Sequence, residues 1–174
     1  MRESNREKIL DGVVRLIERD GVTAITFDAV AAETGITRGG IIYHFSSREE
    51  LILATHQHLA RQWEAQLRSL TPDSDLPVDR YRAYVQSCSR DATRAELLMM
   101  LESAGDERLA QVWSDVIDRW APPVPQSDDP VGLTHFLARI AADGLWAHRT
   151  MTGQPLPSEV KAMVSGSILK LIKQ

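Results

Sequence analysis

Three helix-opening signals crowd one stretch of this chain: Thr26, Thr37 and Ser47, eleven and ten residues apart. A Ser or Thr just ahead of a helix accepts a hydrogen bond from a free backbone N–H of the first turn. Thr26 can cap a helix over 27–34, with Asp28 favoured in its first turn by the helix dipole, and Gly35 breaks it. Thr37 can cap a second over 38–44. Ser47 and Glu50 have capping-box spacing and open a third. Segments this short cannot run parallel for long, so the chain must fold here as small, sharply angled helices, the layout of a helix-turn-helix followed by a connecting helix. Upstream, Ser4 and Glu7 form another capping box. It opens a helix over 5–20 whose Ile9, Leu10, Val13, Leu16 and Ile17 make one apolar stripe, closed by Gly21.

Within 26–45, Phe27, Val30, Ala31, Ile36, Ile41 and Phe45 can turn together into a small core. Thr37, Arg38, Gly39, Ile42 and Tyr43 are then left facing outward. Gly39 and Gly40 inside a seven-residue helix cost about 1 kcal/mol each relative to alanine. They make sense where backbone must approach another molecule, and local rule-breaking of this kind marks functional sites. Arg38 can donate two hydrogen bonds to a guanine edge, and Ile42 can touch a thymine methyl. Tyr43, His44 and the N–H groups opening the next helix, beside Arg48, suit phosphate oxygens.

The run Thr37-Arg-Gly-Gly-Ile-Ile-Tyr-His-Phe45, followed by Ser-Ser-Arg-Glu-Glu-Leu, resembles the recognition region of the tetracycline-repressor (TetR) family. Residues 9–26 are similar to that family's first helix and its approach to the second, so the match spans roughly residues 5 to 55. The resemblance implies a DNA-binding head over 1–46 and a ligand-binding and dimerisation body over 47–174. It also implies repression of transcription relieved by a small molecule. Thr37, Arg38, Gly39 and Ile42 fall at base-facing positions, with Gly40 in the same turn. Thr26, Tyr43, His44 and Arg48 fall at phosphate-facing ones. Ile42 stands where relatives often have a polar or aromatic residue, and Ser46 where many have a basic one.

Beyond the head, the pattern predicts a long helix over 48–70 and further helices near 78–90, 93–103, 106–121, 131–152 and 158–173, about nine in an all-α chain. With 43% hydrophobic and 25% charged residues, a real core can be buried. The net charge is −4, and the first 53 residues carry seven Arg/Lys against nine Asp/Glu. Non-specific DNA affinity should therefore be weak.

The last two helices hold more apolar surface than their intrachain neighbours would hide, and they are expected to form a homodimer through a four-helix bundle. An ordinary intrachain core is the alternative. Candidate pocket residues for a mostly apolar effector are Trp63, Tyr81, Tyr84, Cys88, Met99, Met100, Trp113 and Trp120. Cys88 is the only cysteine and reads as a buried thiol in a reducing cytoplasm. His56 and His58, two apart on a helix, point to different sides, so no metal is expected. Nor is a cofactor, a membrane span or an enzyme, for want of a phosphate loop or a partnered nucleophile. A helical protein–protein adaptor, or a regulator without a ligand, is the competing reading.

Overall fold

The computed structural model describes residues 4–72, 74 and 76–172. Among them the chain is all helical: α1 Asn5–Asp20, a 3₁₀ turn Val22–Ala24, α2 Phe27–Thr34, α3 Arg38–His44, α4 Arg48–Leu70, α5 Pro77–Ser87, α6 Arg94–Ser103, α7 Glu107–Trp120, α8 Pro130–Thr152 and α9 Ser158–Leu169. Packing groups Met1–Arg61 with Thr93–Trp113 as one unit, and Gln62–Ala92 with Ser114–Gln174 as another.

The first four helices coincide with the sequence expectation. In the first unit, Glu7 N–H donates to the Ser4 hydroxyl at 3.2 Å and the Glu7 carboxylate accepts from Ser4 N–H at 3.2 Å, which completes the capping box. Thr26 accepts from Ala29 N–H and Thr37 from Gly40 N–H, both at 3.1 Å. The Ser47–Glu50 box forms only by half. Glu50 N–H reaches the Ser47 hydroxyl at 3.1 Å, but the Glu50 carboxylate turns instead to Ser46 N–H and Oγ, both at 2.7 Å. The Ser46 donors so bound hold the Glu50 carboxyl below its usual range.

The apolar stripe of α1 is buried throughout, as are Ile25, Val30, Ile41, Phe45 and Leu51. Of the six residues expected in the small core, Val30, Ile41 and Phe45 are wholly enclosed. Phe27, Ala31 and Ile36 are half-buried at its margin, because α2 and α3 are too short to cover them. Glu18, near the end of α1, accepts from the N–H groups of Arg94 and Ala95 at 3.3 and 2.7 Å and so caps α6. His56 lies fully buried with its Nδ1 accepting from Trp113 Nε1–H at 2.9 Å, while His58 turns the other way to Asp11 at 2.7 Å.

In the second unit, α5 stops at Ser87 rather than running to 90. The Ser87 and Ser89 hydroxyls bond the Tyr84 and Gln86 carbonyls, and such side-chain bonds compete with helix continuation. The last helix ends at Leu169, where the 3₁₀-type bonds of Leu171 and Ile172 tighten the chain into a turn. The helix expected to run to 173 therefore stops short: residues 170–172 form this turn, and only 173 lies outside the described residues. Ala138, Ala142 and Leu145 bury one face of α8, and Ile168 and Ile172 close the intrachain core beneath α9. Asp91 joins the layers by pairing with Lys161 and, at 3.2 Å, with Arg149. The other face of α8 is bare: Leu133, Leu137, Ile140 and Met151 are exposed with Ala141 and Gly144 between them, and Met163 of α9 is exposed as well.

Burial lowers the pKa of His56 from 6.5 to about 4. The folded chain keeps this imidazole neutral where the unfolded chain protonates it, so stability is fully present above pH 6.5 and is lost as pH falls towards 4. Urea melts between pH 7.5 and 4.5 should show that decline. His56→Gln, which keeps an acceptor for Trp113, should flatten it.

Candidate nucleic-acid interface and ligand pocket

Which face of α3 meets solvent is decided by its buried side. Ile41, the C-terminal cap Phe45 and Val30 of α2 have no exposure, so helical spacing throws Arg38, Gly39, Ile42 and Tyr43 outward. Ile42 is 42% exposed and Tyr43 86%, an unusual display of apolar surface on adjacent residues. Tyr43 meets the His44 ring edge-on at 5.2 Å, and His44 is half-buried beside Phe45. Thr26 and Thr37 use a hydroxyl oxygen for capping, which leaves the O–H proton of each free to point outward.

The two glycines have different reasons. A Cβ on Gly40 would come within 3.0 Å of Ile36 and 3.2 Å of Thr37, so a larger residue there would have to push those side chains aside. A Cβ on Gly39 would meet nothing within 4 Å. Nothing inside the described chain requires glycine there, and its helix cost of about 1 kcal/mol goes unrecovered within the protomer.

Arg38 faces outward as expected, but it is not free. Its NH1 pairs with Asp28 at 2.6 Å, and its guanidinium lies over the Phe27 ring at 5.8 Å. Exposed pairs of this kind are worth about 0–1 kcal/mol, so a guanine edge can take over the fork. Arg48 is more committed. Its Nε donates to the Ile25 carbonyl at 2.8 Å and its NH2 to the Val22 carbonyl at 3.2 Å, tying the start of α4 to the 3₁₀ turn. Its donor set for phosphate is reduced to match.

The cations of the head are partly consumed in the same way. Glu33 takes Arg15 at 2.8 Å and Arg19 at 2.9 Å, and those hydrogen bonds hold its carboxyl below the usual range. The backbone N–H of Ser46 is already bound by Glu50. Arg6 is a cation the sequence reading passed over. It is exposed, with its guanidinium over the Phe45 ring at 5.2 Å, and only the fold brings it beside α3.

The eight candidate pocket residues divide between the units. Met99, Met100 and Trp113 lie in the first, where Met99 is fully buried and Trp113 is bonded to His56. In the second, Trp63 and Tyr84 meet at 5.8 Å, and the Tyr84 hydroxyl donates to Asp143 at 2.5 Å. Burial pushes the Tyr84 phenol and the Asp143 carboxyl both upward. Cys88 is buried nearby, and burial, then the Asp143 charge, push its thiol up to about 12, the state of an unreactive thiol. Tyr81 packs on the His135 ring at 5.8 Å, while Trp120 donates to Glu64 at 3.2 Å. Sequence reasoning missed Asp143, which lies one turn beyond Arg139 on α8 and 4.0 Å from its guanidinium.

Residues 9–55 match the model of bacterial regulatory proteins of the tetR family, and residues 78–173 match the tetracyclin repressor-like C-terminal domain. The HTH-type transcriptional regulator BetI of Burkholderia thailandensis is 24% identical over 99% of this chain and 95% of its own length. Its counterpart from Burkholderia mallei is 26% identical over 91% and 88%. Among solved structures, a transcriptional regulator from Saccharomonospora viridis in complex with choline superposes with a TM-score of 0.74 at 17% identity, over 95% of each chain. A TetR-family regulator from Rhodococcus sp. gives 0.73 at 17% identity, over 98% of this chain and all of its own. The chain belongs to the TetR family, and it is a DNA-binding transcriptional regulator.

Gly39→Ala should raise thermal stability, since it removes a helix-weakening residue from open space. It should also weaken operator binding in a gel shift. An alanine that stabilises the head and leaves DNA affinity intact would mean the backbone makes no close approach there.

Proposed function

We propose that this regulator is a homodimeric repressor that binds a near-palindromic operator in the cytoplasm through α3 and leaves it when a small molecule fills the body. The functional division then falls near residue 46, with 1–46 reading DNA and 47–174 serving ligand and dimer. The observation that carries this is the outer row of α3. Arg38, Ile42 and Tyr43 stand exposed around a Gly39 that nothing else in the protomer explains. Arg38 and Ile42, with Thr37, read bases, while Tyr43, Thr26, His44 and the remaining N–H groups of Arg48 meet phosphates.

The exposed row on α8 supports the dimer. Leu133, Leu137, Ile140 and Met151 repeat at helical spacing around Ala141 and Gly144, and Met163 of α9 extends the patch. A monomer rarely leaves a strip of that kind to water. Small residues at its centre allow close crossing against a symmetry mate, and two heads would then address successive major grooves about 34–36 Å apart or a multiple of it.

For the effector, the aromatic side chains of Trp63, Tyr81 and Tyr84 in the second unit favour a mostly apolar molecule. The half-buried Asp143 carboxyl, bonded to the Tyr84 hydroxyl, favours a second version, an apolar body that carries a positive charge. The choline bound by the Saccharomonospora viridis regulator is a compound of that kind.

Ile140→Arg should convert the dimer to monomer in light scattering and abolish high-affinity operator binding, while a melting curve remains cooperative. A monomeric variant that still bound the full operator tightly, or an unaltered dimer, would contradict the interface.

A further inference from the structure

The second unit holds a cavity of about 450 Å³ with Arg68 of α4, Arg80 of α5 and Arg119 of α7 in its wall, together with Thr71, Ser74 and Trp120. Three guanidinium groups brought from three helices are costly to hold together unless anions answer them. One carboxylate among the described residues does. Glu64 accepts from Arg119 at 3.0 and 3.1 Å, from Arg68 at 3.0 Å and from the Trp120 indole at 3.2 Å. Among the described wall residues, that sets three guanidinium groups against one carboxylate partner.

Arg80 is the group left over. Its Nε is buried without a hydrogen-bond partner, and it takes part in no ion pair among the described residues. A guanidinium N–H withdrawn from water and left unpaired is unfavourable, so among the described residues the protein itself gives this fork no anchor. The neighbouring arginines are already oriented. Arg119 is fixed bidentately by Glu64, and Arg68 lies over the Trp120 ring at 5.7 Å. Planar, pre-set forks of this kind suit oxyanions, because two parallel N–H donors match two oxygens of one group.

We propose that this cavity binds the oxyanion head, carboxylate or phosphate, of a small molecule, with Arg80 as its principal donor and Arg68 and Arg119 completing the charge. The volume exceeds what inorganic phosphate fills, so the natural ligand carries an organic body behind its anionic head. The site involves neither the Trp63–Tyr84–Asp143 group nor the DNA surface.

The test is calorimetric titration of the full-length protein, without DNA, using inorganic phosphate and succinate as separate probes at constant ionic strength. Saturable binding of at least one probe at millimolar concentration is expected. The stronger of the two tells a phosphate head from a carboxylate one. Arg80→Gln should weaken that binding at least tenfold and leave the melting temperature without anion unchanged or higher. Absence of saturable binding by either probe overturns the proposal, as does equal binding by the variant. A variant that melts lower without anion would show that Arg80 serves an internal partner, which also overturns it. Because no DNA enters the experiment, its failure leaves the regulator reading untouched.

Discussion

Val30, Ile41 and Phe45, three side chains with no exposure, hold a seven-residue helix in one orientation. A helix of that length has no stability of its own in water, because nucleation costs more than so few hydrogen bonds return. Tertiary packing and the Thr37 cap must supply it. Once Ile41 and Phe45 are locked inward, helical geometry leaves no choice about what faces out. The surface proposed to read DNA is thus a by-product of how the small core is filled. On that proposal, a change at Val30 would alter operator binding without touching DNA.

The same head holds its charge in reserve. Arg38 rests on Asp28, Arg15 and Arg19 on Glu33, and Glu50 occupies the Ser46 donors at the mouth of α4. Each pair lowers the long-range pull on phosphate, and the head is negative overall. Non-specific attraction is expected to be small on that account. In the proposed reading, discrimination comes from exchanges at short range, where a base edge offers Arg38 a better partner than an exposed carboxylate does.

Much of this was legible in the sequence because it is local. Caps, helix-ending glycines and the 3.6-residue stripe of α1 depend on neighbours in the chain, and the first four helices follow from them directly. What escaped was set by distance. Glu18 caps α6 from 76 residues away, and Glu64 gathers Arg119 across 55. Arg6 comes beside α3 only after α1 folds back. Asp143 looked like one acid in a small-residue helix until Tyr84 met it. The paired glycines read as one signal, yet Gly40 answers to Ile36 and Thr37 inside the head and Gly39 does not. Spacing along a helix could not separate the two.

The central claim is that Arg38, seated on the outer face of α3, reads a base edge. It is tested most directly by binding wild type and Arg38→Ala to an operator series in which each half-site base pair is replaced in turn. The account expects the variant to lose discrimination at one base pair per half-site, by about 1–3 kcal/mol, and to keep the wild-type profile elsewhere. An equal loss on every member of the series would make Arg38 a phosphate contact and remove the physical basis for sequence reading by this helix.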